Sequence, residues 1–249
     1  MIIRIRTLQN MKGSILVVPD VHGRTFWRRV LDSDLPVVFL GDYMDPYYGV
    51  TYDQAFKEFC DIIEFAKQRP DDVTLLVGNH DAHYVGLSYD LSRFDYSHAR
   101  NLHRIYKDNE VLFTAAYRAN NALFTHAGVR KAWLEHHYMS GDPDVVFDYI
   151  NSKLKFDDEL INPSYYETGD SKSPISDIGR SRGGYAPFGG PLWCDVTEIY
   201  HDCAFQGQLT QIFGHTQLRE TGSFVHGSDF YCCDSREVFI WNGEVLEKF

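Results

Sequence analysis

Five short apolar runs in the sequence each end in residues that bind metal ions or move protons. "SILVV" (14–18) leads to Asp20 and His22, "PVVFL" (36–40) to Asp42 and Asp45, and "VTLLV" (73–77) to Asn79, His80 and Asp81. "NALF" (121–124) leads to His126, and "LTQIF" (209–213) to His215. Asp20 and His22 are two apart on a turn, so both can face one point. Asp42 has two oxygens and can bridge two ions, Asn79 offers an amide oxygen, and His126 and His215 offer imidazoles. Mixed nitrogen and oxygen donors suit a divalent ion such as Mn, Fe or Zn. Two such ions about 3.5–4 Å apart clamp the attacking and leaving oxygens of an in-line displacement at phosphorus.

Each element alone has a structural reading. A histidine after a strand serves a turn as readily as a metal, and Gly78-Asn79-His80 fits a left-handed turn because Gly and Asn tolerate positive φ. Repetition decides between the readings: five strand ends carry the pattern, and side chains at strand tips converge in space.

The elements that position these residues follow from the apolar pattern. Short continuous apolar runs closed by turn residues fit strands buried on both faces. Between them, residues 51–68 place Ala55, Phe59, Ile62, Ile63 and Ala66 on one helical stripe behind Thr51 as N-cap. Residues 23–31 and 96–107 also read as helical. Alternating strand and helix indicates an α/β domain. Residues 140–195 are rich in Gly, Ser, Pro and Asp, and "SDIGRSRGGYAPFGGPLW" (176–193) reads as a long ordered loop of the kind that carries function. The tail, 229–249, reads as a meander with Asn242-Gly243 as a hairpin turn. With no repeat, low-complexity tract or boundary in view, one domain over residues 1–249 is expected.

The formal net charge of −11 argues against extended nucleic-acid binding, which needs a basic stripe. It leaves phosphate substrates open, because bound cations reverse the local field. The five cysteines, 60, 194, 203, 232 and 233, include no C-x-x-C pair and read as reduced thiols, with Cys232 and Cys233 on opposite faces of a strand. "MIIRIRTLQNMKGS" has no long apolar core or small-residue cleavage site, and nothing later approaches a membrane span, so a cytoplasmic protein is expected.

The ordered series Asp20-x-His22, Gly41-Asp42-x-x-Asp45, Gly78-Asn79-His80-Asp81, His126 and Gly214-His215 resembles the calcineurin-like metallophosphoesterase superfamily. It looks closest to the branch of PPP-type serine/threonine phosphatases and symmetrical dinucleoside tetraphosphatases, over residues 14–216. The resemblance implies a four-layer α/β/β/α sandwich, two mixed β-sheets flanked by helices, with two divalent metals between the strand ends. Mn is the first expectation, with Fe and Zn as alternatives. The first metal takes Asp20, His22 and the bridging Asp42, and the second takes Asp42, Asn79, His126 and His215. Gln217 stands where some branches carry a further ligand histidine, so the first metal relies on fewer protein ligands.

The implied activity is hydrolysis of a phosphomonoester, phosphoprotein or dinucleoside polyphosphate by a metal-bound hydroxide. His80 acts as the acid, and Asp45 holds its other ring nitrogen. An adjacent carboxylate raises a histidine's pKa toward the range useful for an acid. A phosphodiesterase or nuclease on the same fold, or a non-catalytic metal-binding scaffold, are the alternatives.

The pattern also departs from the branch. PPP phosphatases continue Asp-Arg-Gly and place an Arg before Gly-Asn-His-Glu; this chain has Asp45-Pro46-Tyr47 and Val77-Gly78-Asn79-His80-Asp81. Both phosphate-clamping arginines are therefore missing. Arg180 and Arg182, before Gly183-Gly184, offer replacements with the right fork geometry, against the alternative of a solvated loop. Arg24 is a weaker candidate. His83 and Tyr84 read as packing or solvent-exposed residues, against the alternative of lining the entrance, and Trp193-Cys194-Asp195 resembles a Leu-Trp-x-Asp segment with a structural role near the site.

Overall fold

The computed structural model describes residues 13–88, 93–137, 139–156 and 173–249. Residues 1–12 of the N-terminal stretch read for a leader and residues 157–172 of the Gly-, Ser-, Pro- and Asp-rich region lie outside the described residues, whereas the expected loop 176–193 lies within them. No helix among the described residues is long and apolar enough to cross a membrane.

Two mixed sheets face each other. The first runs β11-β10-β1-β2-β3-β4, built from β1 (Ile15–Val18), β2 (Val37–Phe39), β3 (Val73–Leu76), β4 (Phe113–Thr114), β10 (Phe239–Trp241) and β11 (Leu246–Lys248). The second runs β5-β6-β7-β9-β8, built from β5 (Ala116–Ala119), β6 (Ala122–Thr125), β7 (Thr210–Phe213), β8 (Val225–His226) and β9 (Phe230–Cys232). Alternation within each strand explains the unbroken apolar runs. Ile15 and Val17 of β1 point into the core between the sheets, with Val38, Leu76, Phe124 and Ile212. Leu16 and Val18 point outward, into a second core with Trp27, Phe59 and Tyr106. A smaller cluster around Ile199, Phe213, Phe230 and Cys232 covers the outer face of the second sheet. The four-layer expectation is met.

The helices supply the outer layers. They are α1 (Tyr52–Gln68), α2 (Asn79–Val85), α3 (Ala99–Asp108), α4 (Lys131–His136), α5 (Pro143–Ser152) and α6 (Val196–Asp202). The Thr51 side chain accepts from the Gln54 N–H at 3.2 Å at the start of α1, and the whole apolar stripe is buried. Strand direction then sets where chemistry gathers. β1, β2 and β3 run parallel, as do β6 and β7, so each set delivers its C-terminal residues to one edge.

Three local expectations change. Residues 23–31 contain a short 3-10 helix, Phe26–Val30. The Gly-, Ser-, Pro- and Asp-rich region 140–195, read without a helix, contains α5, capped by the Asp142 carboxylate accepting from the Asp144 N–H at 2.9 Å, with Pro143 in its first turn. The tail is not one meander, because β9 pairs within the second sheet while β10 and β11 pair within the first. Cys233 still donates its N–H to the Phe213 carbonyl of β7 at 2.9 Å, so Cys232 and Cys233 fall on opposite faces at the end of β9, as expected, in different cores. The chain then reaches the first sheet only at Phe239, and all five cysteines are free. The Asn242-Gly243 turn closes the β10–β11 hairpin, with Gly243 at φ +97° and the Asn242 amide oxygen accepting two backbone N–H groups.

Phe59 stacks on Tyr43 and packs against Tyr106 and Phe113 beneath the strand tips. Phe59→Ala is expected to cost about 3–5 kcal/mol, read as a lower urea midpoint at unchanged m-value.

Candidate metal centre and active site

The tips of β1 and β2 are stitched together by backbone. Val21 and His22 N–H groups both donate to the Asp42 carbonyl, at 3.1 and 2.7 Å, and Gly23 donates to Tyr43. His22, Asp42, Asp45 and His215 all have positive φ, between 46° and 64°. For residues with a Cβ this conformation is strained, by about 1 kcal/mol or more each, and the surrounding structure must hold it. Two glycines admit the carboxylates. A Cβ on Gly78 would stand 2.2 Å from Asp42 Oδ1, and one on Gly214 would stand 2.2 Å from Asp20 Oδ1.

Backbone carbonyls fix the imidazole tautomers. His22 Nδ1 donates to the Met44 carbonyl at 2.8 Å, and His126 Nδ1 donates to the Leu40 carbonyl at 2.7 Å. Each Nε2 therefore presents a lone pair to the interior. Those lone pairs flank one oxygen: Asp42 Oδ2 lies 3.4 Å from His22 Nε2 and 3.7 Å from His126 Nε2. Beyond His126, three donor atoms form a triangle. His126 Nε2 and His215 Nδ1 each sit 2.8 Å from Asn79 Oδ1 and 3.2 Å from one another. With Nδ1 as the donor and Nε2 bare, His126 meets Asn79 Oδ1 acceptor to acceptor, an arrangement that a cation held by both atoms would satisfy. This donor set fits a metal, and the carbonyl-anchored Nδ1 atoms are the usual outer support of ligand histidines. Asp20, Asp42 and His126 also bring ligand atoms within 4.8 Å of one another.

Burial pushes Asp42 upward, but His126, His80 and His22 in their charged forms outweigh it and hold the carboxylate well below its ordinary range; a cation held by the bare Nε2 atoms would act in the same sense. Burial raises Asp20, against the pull of His126. Burial, then His126 and Arg182, keep His215 neutral by lowering it well below the ordinary imidazole value.

His80 stands at the edge of this cluster. Its Nδ1 donates to Asp45 Oδ2 at 2.8 Å, and the Tyr84 hydroxyl donates to Asp45 Oδ1. Burial pulls the His80 pKa down, but Asp42 and Asp45 together raise it above its ordinary value. Tyr84 thus sits closer to the chemistry than a packing residue would, and its hydroxyl also accepts from the Asp95 N–H at 3.1 Å. His83, read as a packing residue, is buried with its Nδ1 near Ser88 Oγ at 3.1 Å.

The arginines fall elsewhere than expected. Arg180 is exposed, and Arg182 pairs with Asp195 at 2.9 Å and donates to Thr216 Oγ1 at 2.7 Å, behind His215. Two other guanidinium groups face the strand tips. Arg93 Nη2 lies 2.9 Å from His80 Nε2, and its guanidinium covers the Tyr47 ring at 3.7 Å. Arg24 meets the same ring at 4.8 Å. Arg24 Nη1 and Arg93 Nε and Nη1 are buried without a well-formed hydrogen bond among the described residues. Arg93 belongs to no motif, so sequence offered no signal for it. Asp234, also missed, is buried beside Asp20 and Arg24, and its pKa is raised well above the carboxylate range by burial and then by Asp20.

Asp81 is a structural joint. Its carboxylate accepts from the N–H groups of Asp42 (2.7 Å), Tyr43 (3.1 Å) and Gly78 (2.7 Å) and from the Tyr106 hydroxyl (2.5 Å). Burial and the nearby Asp42 push its pKa up to about 6.

Fold and donor set together define a two-sheet sandwich of the metallophosphoesterase class. Residues 13–218 match the family model described as calcineurin-like phosphoesterase, and the chain belongs to that family of phosphate-ester hydrolases. No curated protein matches it in sequence. Among solved structures, a cold-active protein-tyrosine phosphatase of a psychrophilic Shewanella species is similar, at 15% identity and a TM-score of 0.55, over 95% of this chain and 80% of that one. A protein serine/threonine phosphatase from Saccharomyces cerevisiae is similar at 16% identity and a TM-score of 0.53, over 95% and 79%. At such identities the likeness establishes the fold.

Asp81→Ala strands three backbone donors at the tips of β2 and β3. It is expected to destabilise by about 3 kcal/mol or more in urea titration, with Asp81→Asn costing less because one acceptor oxygen remains.

Proposed function

We propose that the protein is a dinuclear-metal phosphoesterase. The observation that carries this reading is the single oxygen, Asp42 Oδ2, set between the lone pairs of His22 and His126. Asp20, His22 and Asp42 would hold one ion, and Asp42, Asn79, His126 and His215 the other, with Mn as the expected metal. Two divalent cations bound there would neutralise phosphoryl charge and acidify a water.

The remaining chemistry belongs to the chain. Asp45, held on its far side by Tyr84, fixes the His80 ring and favours its charged form; Arg93 Nη2, 2.9 Å from Nε2, turns from it to the phosphoryl group so that Nε2 can carry a proton for the leaving oxygen. The unpaired N–H groups of Arg93 and Arg24 take phosphoryl oxygens, in place of the two arginines absent beside Asp45 and Gly78. Loading of the site offsets the repulsion among buried Asp20, Asp42 and Asp234. Two solved phosphatases of the same fold agree with a phosphorylated substrate.

The test is hydrolysis of p-nitrophenyl phosphate and its bis ester with added Mn, alongside metal content. His80→Ala is expected to retain metal and lose about 10²–10⁴ in kcat, whereas Asp42→Ala loses metal and turnover together. Because His80 must be protonated, kcat should fall as pH rises through a pKa above 6.5, and His80→Ala should lack that limb. Protein that takes up no Mn and hydrolyses neither ester would falsify the assignment.

A further inference from the structure

A cleft of about 300 Å³ is walled by Met44, Pro46, Tyr52, Phe94 and Tyr96 and also lined by Asp45 and Arg93, the two residues that contact the ring nitrogens of His80. Its aromatic walls are braced from behind. Tyr52 stacks on His98 at 3.6 Å and on Phe56 at 5.7 Å. Phe94 stacks on Tyr84 at 5.1 Å, and Tyr96 meets the Phe94 ring edge-on at 4.8 Å. The cleft is therefore formed before anything enters it.

Its charges are partly committed. Asp45 is engaged by His80 and Tyr84, and Asp95 by Ser97 and His98. Arg93 keeps two buried N–H-bearing nitrogens without a well-formed partner. It also touches His80 Nε2, the atom nearest the leaving oxygen in the phosphoesterase reading.

We propose that this cleft is the leaving-group subsite and that it takes one aromatic ring joined directly to the ester oxygen, an aryl phosphate monoester. The inference rests on the phosphoesterase reading. Three observations select this class. The volume exceeds the roughly 150 Å³ that accepts benzene, so a phenyl ring has room. Flat aromatic walls favour offset or edge-on contact with another ring. Arg93, which lines the cleft, lies 2.9 Å from His80 Nε2, so the aromatic walls continue from the group that meets the ester oxygen in that reading. A nucleotide would put a polar ribose there, and a serine ester would leave the rings uncovered.

In the reaction, a water oxygen bonds to phosphorus and the bond between phosphorus and the aryl oxygen breaks. The electron pair leaves on that oxygen, which takes the His80 proton. His80 regains a proton from solvent, which has received one from the attacking water. The products are the phenol and inorganic phosphate.

The experiment separates ring recognition from leaving-group reactivity by using ligands that are not hydrolysed. Calorimetry on the Mn-loaded full chain compares phenylphosphonate, methylphosphonate and the phosphonate analogue of a nucleotide, adenosine 5′-monophosphate with a methylene group in place of the ester oxygen. Phenylphosphonate is expected to bind about tenfold or more tightly than methylphosphonate. Tyr96→Ala, which removes a 55% exposed wall residue, should cut that ratio several-fold. Arg93→Met should weaken both phosphonates and leave the ratio standing. Equal phosphonate affinities, a ratio unmoved by Tyr96→Ala, or tighter binding of the nucleotide would overturn the aryl assignment while p-nitrophenyl phosphate is still hydrolysed. Loss of all three ligands together with absent hydrolysis would overturn the phosphoesterase reading as well.

Discussion

The buried Asp42 carboxylate is the constraint on which the rest of the structure turns. A fully buried anion persists only where cations or donors surround it. Its Oδ1 accepts the His80 N–H at 2.9 Å, its Oδ2 faces two imidazoles, and its own N–H and that of Tyr43 are held by Asp81. The left-handed backbone at Asp42 turns the side chain inward, and Gly78 leaves the space it occupies. The two sheets meet the same demand from opposite sides, the first delivering Asp20, Asp42 and Asn79 and the second delivering His126 and His215.

This arrangement divides the labour of stability. The apolar layers that drive folding lie below the tips, in cores led by Phe59, Trp27 and Phe124. The tips themselves are held by hydrogen bonds among backbone, Asp81 and the imidazoles. A cluster with four strained residues and several buried carboxylates is locally costly, and it is maintained by rigid parallel strands beneath it.

How much of this was legible in the sequence depends on range. The strands were, because burial on both faces writes an unbroken apolar run that a turn must end. Asn79 and His215, 136 residues apart yet 2.8 Å from one another, were legible through motif order and not through any local rule. Helix α5 carried a plain signal in Asp142-Pro143, but the surrounding Gly, Ser and Pro obscured it. Arg93 could not have been found, since its place beside His80 depends on how Tyr84, Phe94 and Tyr47 pack. Arg182 had the right chemistry, but Asp195 and Thr216 engage its guanidinium. The tail misled because residues 229–249 look like one meander, while the chain leaves the second sheet after Cys233 and joins the first at Phe239.

The Tyr84 hydroxyl ties two traits to one support. It donates to the carboxylate that holds His80 and accepts from the N–H of Asp95, two residues beyond Arg93. The segment that shapes the cleft and the carboxylate that holds His80 are therefore mechanically one part. On the proposed mechanism, a shift of that segment wide enough to admit a different leaving group would pull on the phenol, loosen Asp45 and weaken His80 as proton donor. Selectivity and acid strength would then be retuned together, but hardly one without the other.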